Sequence, residues 1–321
     1  MRAVIRDRYG SPDVLVLRDI EKPALSDDGV LVRVRAASVN RMDWYSLTGT
    51  PYAARKEFGL WKPKSALLGV DFAGTVEAVG RRVTQVRPGE EVFGGRTGAF
   101  AEYVCVRNAV LPKPASLTFE QAAAVPVAAL TALQGLRDKG QLQAGQRVLI
   151  NGASGGVGTF AVQIAKALGA HVTGVCSTRN VELVRSLGAD EVVDYVREDF
   201  TRSGERYDLM LDVAGSRSWS ACRRVLTPQA TLVVVGSPKG NPLIGPLGHV
   251  AKVRLAALRS SQKVVFFMAT LNKADLAVLR DLLEAGKVTP VIDRRYALSD
   301  IADALQYMGS GHAQGKIVLT L

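Results

Sequence analysis

Thiols, imidazoles and long apolar runs are scarce in this chain. Its 321 residues hold three cysteines and three histidines. Cys105, Cys176 and Cys222 lie far apart, form no C-x-x-C pair and are odd in number, which argues against a disulfide framework and for reduced thiols. His171, His249 and His312 are equally isolated, so neither a metal centre nor a histidine base is expected. No run reaches the roughly 18 to 20 apolar residues of a membrane helix. The longest, 122–133, is broken by Pro126 and Thr131. The opening MRAVIRDRYG alternates as a strand does, without the basic stretch and apolar core of an export signal, so no membrane span and a cytoplasmic location are expected. Aromatic residues make up only 6%, yet hydrophobic residues reach 47% and charged residues 22%, which excludes a disordered chain. Acidic residues are outnumbered 30 to 41, for a formal charge of +11. The excess falls as scattered pairs, Arg33/Arg35, Arg81/Arg82, Arg223/Arg224 and Arg294/Arg295, so nucleic acid is not the expected partner.

What is present suits two domains, since 321 residues are long for one core. Up to about residue 118 the chain reads as short alternating strands, VLVRVRAAS, FAGTVEAVG, EEVFGG and AEYVCV, parted by turns such as Arg87-Pro88-Gly89. Beyond Pro112 and Pro114 the rhythm changes to apolar strands at 146–151, 170–176, 207–213, 231–236 and 263–268, alternating with helices. This predicts an α/β chain: a β-rich domain from 1–118 and 271–321, and a doubly wound parallel sheet from 119–270. A helix at 273–285 and the closing strand GKIVLTL are expected to rejoin the first domain. KVVFFMAT is the expected edge strand of the second, open to pairing with a second copy, so a homodimer is the expected form.

The sharpest motif is Val148-Leu149-Ile150-Asn151-Gly152-Ala153-Ser154-Gly155-Gly156-Val157-Gly158, an apolar strand running into a glycine-rich turn and a helix. In the dinucleotide fingerprint Ala153 takes the first glycine position, and Gly155 and Gly158 the second and third. A bare Gly155 lets the backbone approach a pyrophosphate facing the helix N-terminus, and Gly158 lets helix and strand pack closely. A tight turn without a ligand would use the same residues. A fingerprint built for NAD ends its second strand on a carboxylate. Here that point reads Gly174-Val175-Cys176-Ser177-Thr178-Arg179-Asn180, with no acid to repel a 2′-phosphate. Ser177 and Arg179 therefore favour NADPH, although Ser177 or Thr178 would also serve as a helix cap beside a solvated arginine.

NGASGGVG, the STRN segment, SLGADEVVDY, AAVPVAALTALQGL and the closing GKIVLTL, in that order across nearly the whole chain, resemble the quinone oxidoreductase branch of the medium-chain dehydrogenases. The resemblance implies a GroES-like barrel domain and a Rossmann domain. It implies that Asn40, Tyr45 and Tyr52 line the site near the nicotinamide, where an amide or phenol could donate to a developing oxyanion. It also implies that Thr131 approaches the nicotinamide ring and Tyr195 the adenosine phosphate. Gly236 and Phe267 end later strands, where doubly wound sheets place ligands. As turn or packing residues, Asn40 and the tyrosines would look the same.

Zinc-dependent relatives would carry a cysteine in the first domain and a Gly-His-Glu segment. Here Asn40 stands at the cysteine position and Gly69-Val70-Asp71 replaces Gly-His-Glu, so no metal is expected. Without a Lewis acid the acceptor must take hydride readily, as quinones and conjugated carbonyls do. The expected activity is NADPH-dependent quinone reduction. Double-bond reduction of 2-alkenals or enones is the alternative, and a non-catalytic NADPH-binding sensor a third. Two segments invite further roles: 50–64 (TPYAARKEFGLWKPK) as a lid or an ordinary loop, and 243–260, with Lys252, Arg254 and Arg259, as a peripheral membrane contact or a buried helix.

Overall fold

The structure is a computed structural model that describes residues 1–236, 246–257 and 260–321. Two compact units emerge: Met1–Leu130 with Leu271–Gly286 and Pro290–Leu321, and Thr131–Thr270 with Lys287–Thr289.

In the first unit β1 (Arg2–Ile5) and β2 (Val16–Asp19) form an antiparallel pair. The larger sheet is built on β3 (Val30–Val39), in which Arg33 and Arg35 face solvent while Val32 and Val34 are buried, the two-residue period of its sequence. Helix α1 (Arg41–Thr48) and the short α2 (Arg55–Phe58) follow, then β4 (Asp71–Val79), β5 (Glu91–Gly95), β6 (Tyr103–Val106) and β7 (Val110–Pro112). Residues 119–130 cluster with this unit rather than with the second domain expected to begin at 119, because α3 (Phe119–Ala123) packs on β3 and β4. Helix α4 (Pro126–Leu133) carries the chain into the second unit.

That unit holds β8 (Arg147–Asn151), α5 (Gly156–Ala167), β9 (His171–Cys176), α6 (Val181–Ser186), β10 (Glu191–Asp194), β11 (Tyr207–Asp212), α7 (Trp219–Cys222), β12 (Leu226–Val234), α8 (Pro246–Ala257) and β13 (Lys263–Phe266). The strands run parallel in the order β10-β9-β8-β11-β12-β13. This is the doubly wound Rossmann order, with every carboxyl end on one edge. β12 starts five residues ahead of the expected 231, its first part joined to β11 through a register shift. β13 is the edge strand, as its sequence suggested. In α8, Val253 and Ala257 join the sheet core while Lys252 and Arg254 are exposed, which is a packed helix with a cationic outer side. Residues 243–245 and 258–259 of the membrane-contact segment lie outside the described residues. No helix among the described residues is long and apolar enough to cross a membrane.

Finally α9 (Lys273–Glu284), β14 (Ile292–Ala297), α10 (Ile301–Ser310) and β15 (Lys316–Thr320) return to the first unit. β15 lies antiparallel on β3, with Ile317 opposite Val39. The expected return of GKIVLTL to the first domain is therefore seen, and it fixes where Lys316 falls.

Candidate active site and nucleotide site

At the carboxyl edge of the Rossmann sheet, β8 ends on Asn151 and the chain turns through Gly152, whose φ of +91° suits a residue without a side chain. The turn is tied to β9, since the amides of Gly152 and Ala153 both donate to the Val175 carbonyl, at 3.1 and 3.0 Å. A Cβ on Gly155 would meet only the Gly152 carbonyl oxygen, at 3.6 Å, and otherwise open space. On Gly158 it would strike that same oxygen at 2.1 Å. The two glycines thus do different work, one leaving open space and one allowing the helix to touch the turn that precedes it. Gly155 is the N-cap of α5 and offers no side-chain cap, so the first-turn amides of Gly156, Val157 and Gly158 are left to an anion. This cradle fits a dinucleotide pyrophosphate.

The other predicted cofactor residues collect along the same edge. Ser177 follows β9, with exposed Arg179 two residues on. Tyr195 follows β10, is 53% exposed, and donates its amide to the Cys176 carbonyl. Gly236 follows β12 and Phe267 follows β13. A Cβ on Gly236 would lie 1.8 Å from the Val213 carbonyl, so this glycine is required by close backbone approach whatever it binds. Thr131 sits in α4. Asp194, at the end of β10, is engaged by the Thr178 hydroxyl at 2.6 Å, the Val196 amide and Arg197, and the Thr178 bond leads in holding its carboxyl below the usual range. Sequence reasoning missed two partners here. Asn151 donates from Nδ2 to Asp212 at 2.7 Å, bracing β8 against β11. Asn180, 5% exposed, bonds both Ser154 and Ser177.

In the first unit, Asn40 lies between β3 and α1, 7% exposed, as the helix N-cap. The strand registers place Asp71 opposite Ser38, and Ile317 opposite Val39, so Asp71 and Lys316 both arrive beside Asn40. The Asn40 amide donates from Nδ2 to Asp71 at 2.8 Å, and its Oδ1 accepts from Lys316 Nζ at 2.6 Å. Lys316 also stands 3.5 Å from Asp71. Asp71 takes further bonds from the Ser38 hydroxyl at 3.0 Å and from the Val127 amide of α4 at 3.0 Å. Asp43 caps the start of α1 by accepting from the Asn40 amide N–H at 2.7 Å. Burial dominates the electrostatics of this cluster. It pushes the Asp43 carboxyl up to about 7, raises Asp71, and lowers Lys316. The Asn40 side chain, expected as a donor to a developing oxyanion, is held at both ends, by Asp71 and by Lys316. Tyr45 lies on α1 with Arg41 near its ring, and Tyr52 is 49% exposed beneath Arg55, 4.5 Å from its ring centre.

Comparison with known proteins places this geometry. The family model described as an alcohol dehydrogenase GroES-like domain matches residues 26–115, and that of a zinc-binding dehydrogenase matches 187–319. The mouse mitochondrial NAD(P)H oxidoreductase RTN4IP1 is 36% identical across the whole chain and 89% of its own length. The chain belongs to the quinone oxidoreductase branch of the medium-chain dehydrogenase/reductase superfamily. The chloroplastic NADPH-dependent alkenal/one oxidoreductase of Arabidopsis thaliana is 32% identical over 99% of the chain and 79% of its own length. Among solved structures, the quinone oxidoreductase of Coxiella burnetii superposes with a TM-score of 0.85 at 30% identity, covering 100% of this chain and 99% of that one. The protein is thus an oxidoreductase of the medium-chain reductase type.

Membership raises the question of zinc. By the sequence resemblance, Asn40 stands at the cysteine position and Val70 at the histidine position of metal-dependent members, and Lys316 Nζ lies against both Asn40 and the adjoining Asp71. A divalent cation there would meet a buried positive charge and no thiolate or imidazole, so these residues do not fit zinc. Among the described residues no group of three or more His, Cys, Asp or Glu could hold a metal.

Proposed function

We propose that the protein is a zinc-independent, NADPH-dependent reductase of quinones or conjugated carbonyls. The observation that carries this reading is Lys316, whose Nζ is seated against Asn40 and Asp71, with Asn40 and Val70 at the positions where the resemblance puts the zinc-binding cysteine and histidine of metal-dependent relatives. With no Lewis acid to polarise a simple carbonyl, the acceptor itself must spread the incoming charge, as quinones and α,β-unsaturated carbonyls do.

The choice of NADPH rests on the end of β9, where Ser177 and Arg179 stand in place of a carboxylate. A guanidinium there matches a 2′-phosphate in charge and geometry. NADPH, when bound, supplies the hydride. The protein's own groups hold it: Gly155 leaves the backbone open, the α5 amides meet the pyrophosphate, and Ser177, Arg179 and Tyr195 meet the adenosine end. Lys316 and Asp71 hold the Asn40 amide in a fixed orientation, and the Tyr45 and Tyr52 phenols are the candidate donors to a developing oxyanion. The names of the Coxiella and Arabidopsis proteins favour quinones and alkenals respectively, and both chemistries suit the same zinc-free site.

The test is oxidation of NADPH and NADH by chelator-treated protein with a panel of quinones, enones and simple aldehydes. Consumption of NADPH with quinones or enones, undiminished by chelation, is the expected result. Reaction with aldehydes only, or a requirement for added zinc, would overturn the reading. A strong preference for an enone at equal cofactor saturation would assign the double-bond chemistry instead.

A further inference from the structure

Two hydroxyls from separate loops, Ser154 in the glycine-rich turn and Ser177 after β9, are joined by one buried side chain. Asn180 Nδ2 donates to Ser154 Oγ at 2.9 Å and to Ser177 Oγ at 3.2 Å. The Asn180 backbone amide donates to the Ser177 carbonyl at 2.8 Å, fixing the loop from which the side chain reaches back. Its Oδ1 is buried with no hydrogen-bond partner. The side chain caps no helix, although Asn180 stands at the N-cap of α6.

A hydroxyl has one proton to give and two lone pairs with which to accept. An Asn180 N–H pointing at each oxygen occupies a lone pair and leaves each hydroxyl proton to be donated elsewhere. The opposite orientation of the amide would strand two buried N–H groups instead of one carbonyl oxygen, which is the costlier arrangement. Phosphate oxygens only accept, whereas a ribose 2′-hydroxyl can accept or donate. Hydroxyls preset as donors therefore favour a 2′-phosphate over a 2′-hydroxyl.

We propose that Asn180 is a positioning residue of the cofactor site, presetting Ser154 and Ser177 as hydrogen-bond donors and so contributing to selection of the 2′-phosphorylated dinucleotide. This rests on the NADPH reading above. Asn180 does not itself meet the cofactor. It acts through the two serines, with Ser177 at the strand end where the 2′ substituent is read.

The experiment is equilibrium calorimetry of NADPH and NADH on the full chain, for the wild type, Asn180→Ala, Asn180→Asp, Ser177→Ala and the Asn180→Ala/Ser177→Ala double variant. Thermal melts confirm that each is folded. Asn180→Ala is expected to raise the NADPH Kd about 5- to 10-fold and the NADH Kd less than about 2-fold, the scale of one lost oriented hydrogen bond. The isosteric Asn180→Asp should lose more, because its carboxylate accepts the hydroxyl protons and adds a negative charge. In the Ser177→Ala background the Asn180→Ala effect should shrink, as coupled partners require. Unchanged NADPH binding in both Asn180 variants, equal loss for the two cofactors, or full additivity with Ser177→Ala would each overturn the proposal. A wild type that fails to prefer NADPH would overturn the cofactor reading itself, a result separable from a neutral Asn180.

Discussion

Arg179 is exposed three residues beyond β9, in the place where an NAD site would carry an acid. Replacing it with alanine should weaken NADPH binding by roughly 1.5 to 3 kcal/mol, the worth of a charge-assisted hydrogen bond, and leave NADH nearly unaffected. Titration of both cofactors against Arg179→Ala checks this, and equal losses would remove Arg179 from the 2′-phosphate site. The proposed role of this residue and of Ser177 comes from a local signal: strand, then hydroxyl, then guanidinium, with no carboxylate between. Asn180, next in the same STRN segment, was passed over. Its importance depends on Ser154, which comes near only when β8 and β9 pair and bring their carboxyl ends together. A dispersed set of titratable residues hid the first unit's cluster in the same way. Asp71 was read only as the end of the segment replacing Gly-His-Glu, Asp43 and Lys316 carry no motif, and Asn40 is 276 residues from the lysine that holds it.

The β8–α5 element is one turn in which neighbouring glycines serve opposite ends. A methyl at Gly155 would enter nearly open space, and its φ of −82° is ordinary for alanine. Gly155→Ala should therefore fold, losing no more than about 1 kcal/mol for the poorer N-cap, while blocking the approach of a pyrophosphate. A methyl at Gly158 would be driven into the Gly152 carbonyl oxygen and the Ala153 backbone. Gly158→Ala should cost stability, about 1 to 3 kcal/mol, as overpacking does. Melting curves and NADPH titrations of the two variants should separate them, with lost binding but a kept melt for the first and a lowered melt for the second. A Gly155→Ala protein that binds NADPH normally would show that the cradle does not hold the pyrophosphate. The fingerprint was readable from sequence because strand, turn and helix are contiguous. The division of labour between its glycines needed the turn's three-dimensional course.

Across the whole molecule, the buried charges of the first unit set a pH dependence of stability. Asp43 has its carboxyl pushed from 3.8 to about 7, chiefly by burial and further by the charge of Asp71, while Lys316 and the amides of Asn40 and Gly69 oppose the shift. A folded pKa above the unfolded one means the fold favours the neutral acid. That contribution is complete below 3.8 and is lost as pH rises through about 7. Between about pH 5 and about pH 8 the wild type should therefore lose melting temperature, by an amount worth at most about 3 kcal/mol. Burial raises Asp71 in the same direction and lowers Lys316. Asp43→Asn keeps an acceptor for the Asn40 amide but cannot titrate, so its melting temperature should vary less over this range. Equal slopes for the two proteins would show that Asp43 does not titrate there.

By itself the sequence determined the α/β class, the pairing of a β-rich domain with a parallel-sheet Rossmann domain, the return of the last strand, and the glycine-rich turn with its acid-free neighbour. Each rests on periodicity or on residues adjacent along the chain, and local sterics carry that information. Tertiary structure alone decided that residues 119–130 cluster with the first unit, that Asn180 spans two serines, and that a lysine ammonium stands at Asn40 and Asp71. These depend on packing and on strand pairing between distant segments. A shift of β15 by one residue against β3 would turn Lys316 to the other face of the sheet, and nothing in the local pattern around position 316 states which strand it will meet.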